Sequence, residues 1–68
     1  MKTARILIIE DENQIRRFVR IALEAEKFDV IEANSGTRGL IEASTRQPDL
    51  IIIDLGLPDL EGKEVIRQ

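Results

Sequence analysis

Two aliphatic runs that end in acid decide the fold of this chain. They are Ile-Leu-Ile-Ile-Glu-Asp-Glu at residues 6–12 and Leu-Ile-Ile-Ile-Asp at residues 50–54. Each run is continuously apolar rather than alternating, which is typical of a parallel strand that is covered on both faces. The chain also has eleven Ile, seven Leu and three Val against two Phe, and this composition favours strands. The sequence therefore predicts an α/β domain built on an open parallel sheet.

The segment between the two runs has the periodicity of a helix, a strand and a second helix. Apolar residues recur at helical spacing over residues 13–26 and predict one buried face, formed by Ile15, Phe18, Val19, Ala22 and Leu23. Residues 28–33 predict a strand. Ser35 is a suitable N-cap for the next helix, which we expect to end before Pro48. That helix is expected to bury Leu40, Ile41 and Ala43, although Gly39 weakens it.

After the second aliphatic run the sequence predicts a loop and then a third helix. The loop covers residues 55–62, and Val65 and Ile66 are expected on one to two helical turns at the end of the chain. The resulting order is β-α-β-α-β-α, which predicts right-handed crossovers between parallel strands. A 7.7 kDa chain hides only about 60% of its surface on folding, so it holds a single small domain.

Composition excludes several classes of function. The absence of Cys and His removes disulfides, thiolate metal sites, Cys nucleophiles and the commonest general base. A net charge of −3 argues against binding to a nucleic-acid backbone. No apolar run approaches the roughly 20 residues of a membrane span, and residues 6–9 are too few for a signal peptide. We therefore expect a cytoplasmic protein that binds no membrane.

The acidic residues that follow the two runs form a candidate site. In an open parallel sheet, ligands bind beyond the carboxyl ends of the strands. If the first and third strands are neighbours, Glu10, Asp11 and Asp54 converge there, and an oxygen-only set of this kind favours Mg²⁺. Alternatively, Glu10 and Asp11 only begin a loop and a helix. Asp54 is harder to explain in that way, because it stands between aliphatic residues.

Three motifs together resemble the receiver domain of bacterial two-component response regulators. They are residues 6–12, residues 48–54 (Pro-Asp-Leu-Ile-Ile-Ile-Asp) and Leu-Pro-Asp-x-x-Gly at residues 57–62. Within that family, residues 15–18 and 55–59 resemble most the potassium-transport (Kdp-type) regulators. The resemblance implies a flavodoxin-like or CheY-like topology with strand order 2-1-3-4-5. This chain would hold about three of those strands and two to three helices.

The resemblance also implies a role for each acidic residue. Asp54 would be the phosphoacceptor, whose carboxylate attacks the phosphohistidine of a sensor histidine kinase. Mg²⁺ would be bound by Asp11, by Glu10 directly or through water, by Asp54 itself and by the backbone carbonyl of Gly56. The module would accept a phosphoryl group without being a turnover enzyme.

The same resemblance makes residues 1–68 the N-terminal portion of a receiver domain, without its second half and without a DNA-binding effector domain. Lys63 would lie on the third helix and would not replace the lysine of the fifth strand. The fragment itself would bind no nucleic acid, and its parent would regulate transcription of potassium-transport genes. The strand at residues 50–53 would be an open apolar edge, so we expect a homo-oligomer formed by strand pairing.

Two other functions are consistent with parts of the sequence. The first is a half-domain that assembles by strand pairing or domain swapping and carries out no chemistry. The second is a Mg²⁺-dependent hydrolase that uses the three acids. The hydrolase fits less well, because so short a chain offers no enclosed substrate pocket. Phosphatases with an aspartate nucleophile commonly carry Asp-x-Asp after the first strand, a spacing that Glu10-Asp11-Glu12 lacks.

Overall fold

A computed structural model describes residues 3–53 and 64–67 of the chain. Its elements are, in chain order, β1 (Arg5–Ile9), α1 (Asn13–Ala25), β2 (Asp29–Ala33), α2 (Gly36–Arg46), β3 (Leu50–Ile53) and β4 (Glu64–Arg67). The four strands form one sheet in the order β2-β1-β3-β4, and β1 runs parallel to both of its neighbours. The predicted open parallel α/β sheet is confirmed for β1, β2 and β3.

β1 lies at the centre of the sheet and is buried on both faces. Its four aliphatic residues, Ile6–Ile9, each retain at most 3% of their exposure, as the unbroken apolar run predicts. One face carries the main apolar cluster, formed by Leu7, Ile9, Ile31, Ala33 and Ile51. Ala43 of α2 packs against this cluster. Because side chains alternate along a strand, Ile6 and Ile8 point to the opposite face, which α1 covers.

α2 approaches the sheet closely at Gly39. A Cβ atom built on this glycine would lie 2.7 Å from Cγ1 of Ile9, which is too close for two carbon atoms. Gly39 is a poor helix former, but its lack of a side chain lets α2 pack directly on β1. Ser35 accepts a hydrogen bond from the backbone N–H of Arg38 and so caps this helix as predicted.

α1 buries fewer apolar residues than its sequence predicts. Ile15 and Phe18 are 45% and 73% exposed, and Ala22 is exposed as well, so the prediction that these three residues are buried is wrong. The half-buried residues of the helix are Arg16, Val19 and Leu23. Among the described strands, β1 and β2 make the main contacts with α1, and they cover a stripe that is narrower than the apolar face of the helix.

α2 shows the same effect. Leu40 and Ile41 are 64% and 48% exposed, so their predicted burial is wrong, while Ala43 packs on the core as expected. The helix touches the sheet along the line of Gly39 and Ala43, which leaves its larger apolar residues outside.

In residues 3–53 and 64–67, no helix combines the length and apolar character that a membrane span requires.

The C-terminal part of the described chain is a strand and not the predicted helix. Glu64–Arg67 runs antiparallel to β3, with Val65 opposite Ile52 and Ile66 opposite Ile51. A helix of one or two turns is marginal by itself, because its first turn is costly to form. An aliphatic strand edge instead offers a full row of hydrogen-bonding groups, and Val and Ile favour strands. β3 is paired on both sides, so the expected open edge is wrong and self-association through it has no support.

The contact at Gly39 yields a prediction for Gly39→Ala. Overpacking against Ile9 costs about 1–3 kcal/mol, and the better helix propensity of Ala returns at most about 1 kcal/mol. We expect a lower free energy of unfolding, measured by urea denaturation. Ser44→Ala, at an exposed position of the same helix, is the control and should not destabilise the protein. If Gly39→Ala is as stable as the wild type, the close approach of α2 to β1 is contradicted.

Candidate functional site

The carboxyl ends of β1 and β3 lie side by side. Ile9 and Ile53 are register partners at the ends of these two parallel strands. Glu10 follows Ile9 in the chain, and Asp54 follows Ile53. The condition on which the predicted site depended, that the first and third strands are neighbours, is therefore met. Asp54 and Gly56, the predicted phosphoacceptor and carbonyl ligand, lie outside the described residues.

Glu10 is buried at the base of the turn that joins β1 to α1. It is 3% exposed, and its backbone N–H donates to the carbonyl of Ala33 at 3.0 Å, which extends the pairing of β1 with β2. Its carboxylate Oε2 accepts the backbone N–H of Glu12 at 2.9 Å. The side chain thus closes the turn over residues 10–12, and this hydrogen bond compensates part of the cost of burying a carboxylate.

Asp11 is exposed at the tip of this turn, two residues before the start of α1. Glu10 and Asp11 together supply carboxylate oxygen atoms at one edge of the sheet, where Glu10 is buried and Asp11 is exposed. Oxygen ligands of this kind fit a hard cation such as Mg²⁺, which keeps several of its waters and takes one or two carboxylates. Within residues 3–53 and 64–67 no three acidic side chains form a metal cluster. The third predicted carboxylate, Asp54, is outside that range.

Arg16 is the residue that the sequence argument missed. Its guanidinium donates from Nη1 to the backbone carbonyl of Glu10 at 2.8 Å and from Nη2 to Oδ1 of Asn13 at 2.6 Å. Its Nε donates to Oε1 of Glu32 at 2.8 Å. One side chain therefore joins the turn after β1, the start of α1 and the C-terminal part of β2. A sequence signal existed, since Arg16 lies one turn before Val19 on the inward stripe of α1.

Arg16 belongs to a network of two cations and two anions. Glu32 also accepts from Nη1 of Arg20 at 2.7 Å, and Nε of Arg20 pairs with Glu24 at 3.2 Å. Partial burial raises the pKa of Glu32, but hydrogen bonds from Arg16 and Arg20 outweigh it and hold that pKa below its ordinary value. The hydrogen bond with Glu32 in turn raises the pKa of Arg20. The charges of the network compensate one another.

A cleft of about 480 Å³ lies beside this network and is lined by Arg16, Glu32, Asn34 and Arg38. Its two arginines are both engaged, Arg16 by Glu32 at 2.8 Å and Arg38 by Glu42 at 3.2 Å. Because each cation already has a carboxylate partner, the cleft is not suited to binding an anion.

The fold and this edge define a class of protein: a doubly wound parallel α/β domain with acidic residues at the carboxyl ends of adjacent strands. The family model of the response regulator receiver domain matches residues 6–68. The chain belongs to that family. This confirms the resemblance drawn from the three sequence motifs.

Individual relatives agree with this assignment. The chain is 61% identical over 62 residues to the KDP operon transcriptional regulatory protein KdpE of Escherichia coli (strain K12), covering 91% of this chain and 28% of that protein. It is 42% identical over 64 residues to the alkaline phosphatase synthesis transcriptional regulatory protein PhoP of Bacillus subtilis (strain 168), covering 94% and 27% of the two proteins. The chain thus spans little more than a quarter of these relatives.

The structure also resembles solved receiver structures. It matches the chemotaxis response regulator CheY4 of Vibrio cholerae with a TM-score of 0.83 and 30% sequence identity, over 90% of this chain and 51% of that one. A response regulator receiver domain protein from Clostridium thermocellum matches with a TM-score of 0.76 and 36% identity, over 87% and 48% of the two chains. The CheY-like topology predicted from sequence is confirmed.

The ion-pair network predicts how stability depends on pH. Because the pKa of Glu32 is lower in the folded state, the unfolded chain binds more protons in the acid range. The contribution of Glu32 is present above the unfolded pKa and is lost as the pH falls through the folded one. We expect Glu32→Gln to cost about 1 kcal/mol at neutral pH and to flatten the loss of stability below about pH 5.

Urea denaturation at several pH values measures this effect. Glu24→Gln is the matched control, because it removes one carboxylate of the same network that contacts Arg20 and not Arg16. It should leave most of the acid dependence in place. An acid dependence in Glu32→Gln equal to that of the wild type would contradict the role assigned to the Glu32 carboxylate.

Proposed function

We propose that this chain is a phosphoacceptor receiver module of a two-component system, which takes a phosphoryl group from a sensor histidine kinase on Asp54. The parallel pairing of β1 with β3 carries this proposal, since the register of Ile9 with Ile53 brings two acidic strand ends to one sheet edge. Membership of the receiver family supports it. Glu10, Asp11, Asp54 and the backbone carbonyl of Gly56 are the proposed Mg²⁺ ligands.

The proposed chemistry is nucleophilic displacement by a carboxylate. An Oδ atom of Asp54 forms a bond to phosphorus while the bond from phosphorus to the donor imidazole nitrogen breaks, and the bonding electron pair stays with the imidazole. Bound Mg²⁺ supplies the positive charge that offsets the negative charge of the phosphoryl oxygens. Glu10 contributes by holding the turn over residues 10–12 from its buried position, and Asp11 contributes a solvent-accessible carboxylate.

The biological setting follows from the relatives and belongs to the same proposal. KdpE and PhoP are named as transcriptional regulatory proteins, so we propose that this chain serves transcriptional control, with potassium-transport genes as the targets suggested by its identity to KdpE. Residues 1–68 would form the N-terminal portion of the receiver domain of such a regulator. The module would work in the cytoplasm as a signalling partner of the kinase and not as a turnover enzyme.

The proposal predicts one phosphorylation site. Incubation with Mg²⁺ and a small-molecule acyl phosphate should add the mass of one phosphoryl group, as measured by native mass spectrometry. Asp54→Asn should abolish the adduct, because an amide is not nucleophilic enough to replace the carboxylate. Asp49→Asn is the matched control and should keep the adduct. Asp49 precedes β3 rather than following it, and its carboxylate accepts the backbone N–H of Arg5 at 2.8 Å.

The variants separate the proposal from its alternative. An adduct that persists in Asp54→Asn would place the chemistry elsewhere. A folded protein that gains no phosphoryl group, with Asp54→Asn behaving identically, would instead identify a half-domain without chemistry. Loss of the adduct in both Asp54→Asn and Asp49→Asn would indicate that folding, and not the acceptor carboxylate, had been disturbed.

A further inference from the structure

We propose that Arg16 is a positioning residue for the Mg²⁺ site, which holds the turn over residues 10–12 in the shape that presents Glu10 and Asp11 to the cation. This inference rests on the proposed function, because it concerns the same acidic edge. It assigns a role to a residue of α1 that supplies no ligand to the metal.

The hydrogen bonds around the turn carry this inference. Arg16 binds the turn twice: its backbone N–H donates to the carbonyl of Glu12 at 2.9 Å, and its Nη1 donates to the carbonyl of Glu10 at 2.8 Å. The Glu10 carboxylate binds the N–H of Glu12 from within the turn. The carbonyl of Glu10 and the N–H of Glu12 belong to the two peptide groups that flank Asp11. The position of the Asp11 Cα therefore depends on both of these hydrogen bonds.

The guanidinium is itself held in place. Its side chain is only 16% exposed, and its three nitrogens bind three acceptors on three different elements of the fold. The planar fork of an arginine is preorganised for several acceptors at once, whereas a lysine ammonium on a flexible stem is not. The geometry therefore requires arginine at this position and not merely a positive charge.

Charge alone would make Arg16 unfavourable here, because a cation next to a metal site repels Mg²⁺. The negative charge of Glu32 offsets this repulsion. Its carboxylate lies 2.8 Å from Nε of Arg16 and is held from the other side by Arg20 at 2.7 Å. Because Glu32 neutralises the guanidinium, Arg16 can orient the turn with little electrostatic cost to the cation.

Titration with Mg²⁺ alone tests this role. The backbone amide signals of Asp11 and Glu12 in NMR spectra report binding without any phosphodonor. Arg16→Lys keeps the charge and loses the fork, and we expect its Mg²⁺ affinity to fall roughly tenfold, as is typical when a partner of a metal ligand is removed. Arg20→Lys is the matched control, since Arg20 binds the same Glu32 carboxylate but does not contact the turn. It should bind Mg²⁺ like the wild type.

Urea denaturation without Mg²⁺ separates positioning from general stability. Equal Mg²⁺ affinity in Arg16→Lys and the wild type would overturn the inference, as would affinity that falls in both variants in step with their stability. A wild-type protein that binds no Mg²⁺ would overturn the proposed function together with this inference. If Arg16→Lys does not fold, Asn13→Ala decides the matter: it removes the acceptor of Nη2 and should weaken Mg²⁺ binding severalfold, whereas unchanged binding would overturn the role of Arg16.

Discussion

The pairing of β1 between β2 and β3 is the constraint on which the rest of the molecule depends. It buries Ile6–Ile9 on both faces, and these are four of the seven hydrophobic residues that are buried in the described part of the chain, so their burial is a main source of its stability. The same pairing fixes the register of Ile9 with Ile53 and so sets side by side the two strand ends that acidic residues follow in the sequence. One strand therefore accounts for both the stability of the fold and the position of the candidate site, because β1 forms the core and Glu10 directly follows it.

Much of the fold could be predicted because it depends on local sequence. The bounds of β1, β3 and α1, the cap at Ser35 and the end of α2 before Pro48 follow from apolar runs, helical periodicity and backbone preferences. The position of Glu10 and Asp11 directly after β1 could be predicted for the same reason, because it is visible in the sequence. The depth of burial of the helix residues could not be predicted in this way, because the exposure of Phe18 or Leu40 depends on which other elements pack against each helix.

Contacts between distant residues explain the remaining differences. Arg16 and Glu32 are separated by 16 positions, and neither residue predicts the other without the packing of α1 on β2. The segment Glu64–Arg67 is the clearest case: Val65 and Ile66 fit a helix by pattern, yet the segment forms β4 beside β3. Val and Ile favour strands by propensity although their spacing also fits a helix, and the available partner, β3, decides the conformation.

The antiparallel strand β4 occupies the outer side of β3, a position that another strand would be able to take in its place. The segment pairs with β3 at four register positions, and strand pairing of this kind uses backbone hydrogen bonds, which any extended peptide can supply. A longer strand that runs parallel to β3 would compete for the same donors and acceptors. Whichever segment occupies this position, β1 keeps both of its neighbours, so strand displacement at β3 would leave the acidic turn after β1 unaltered.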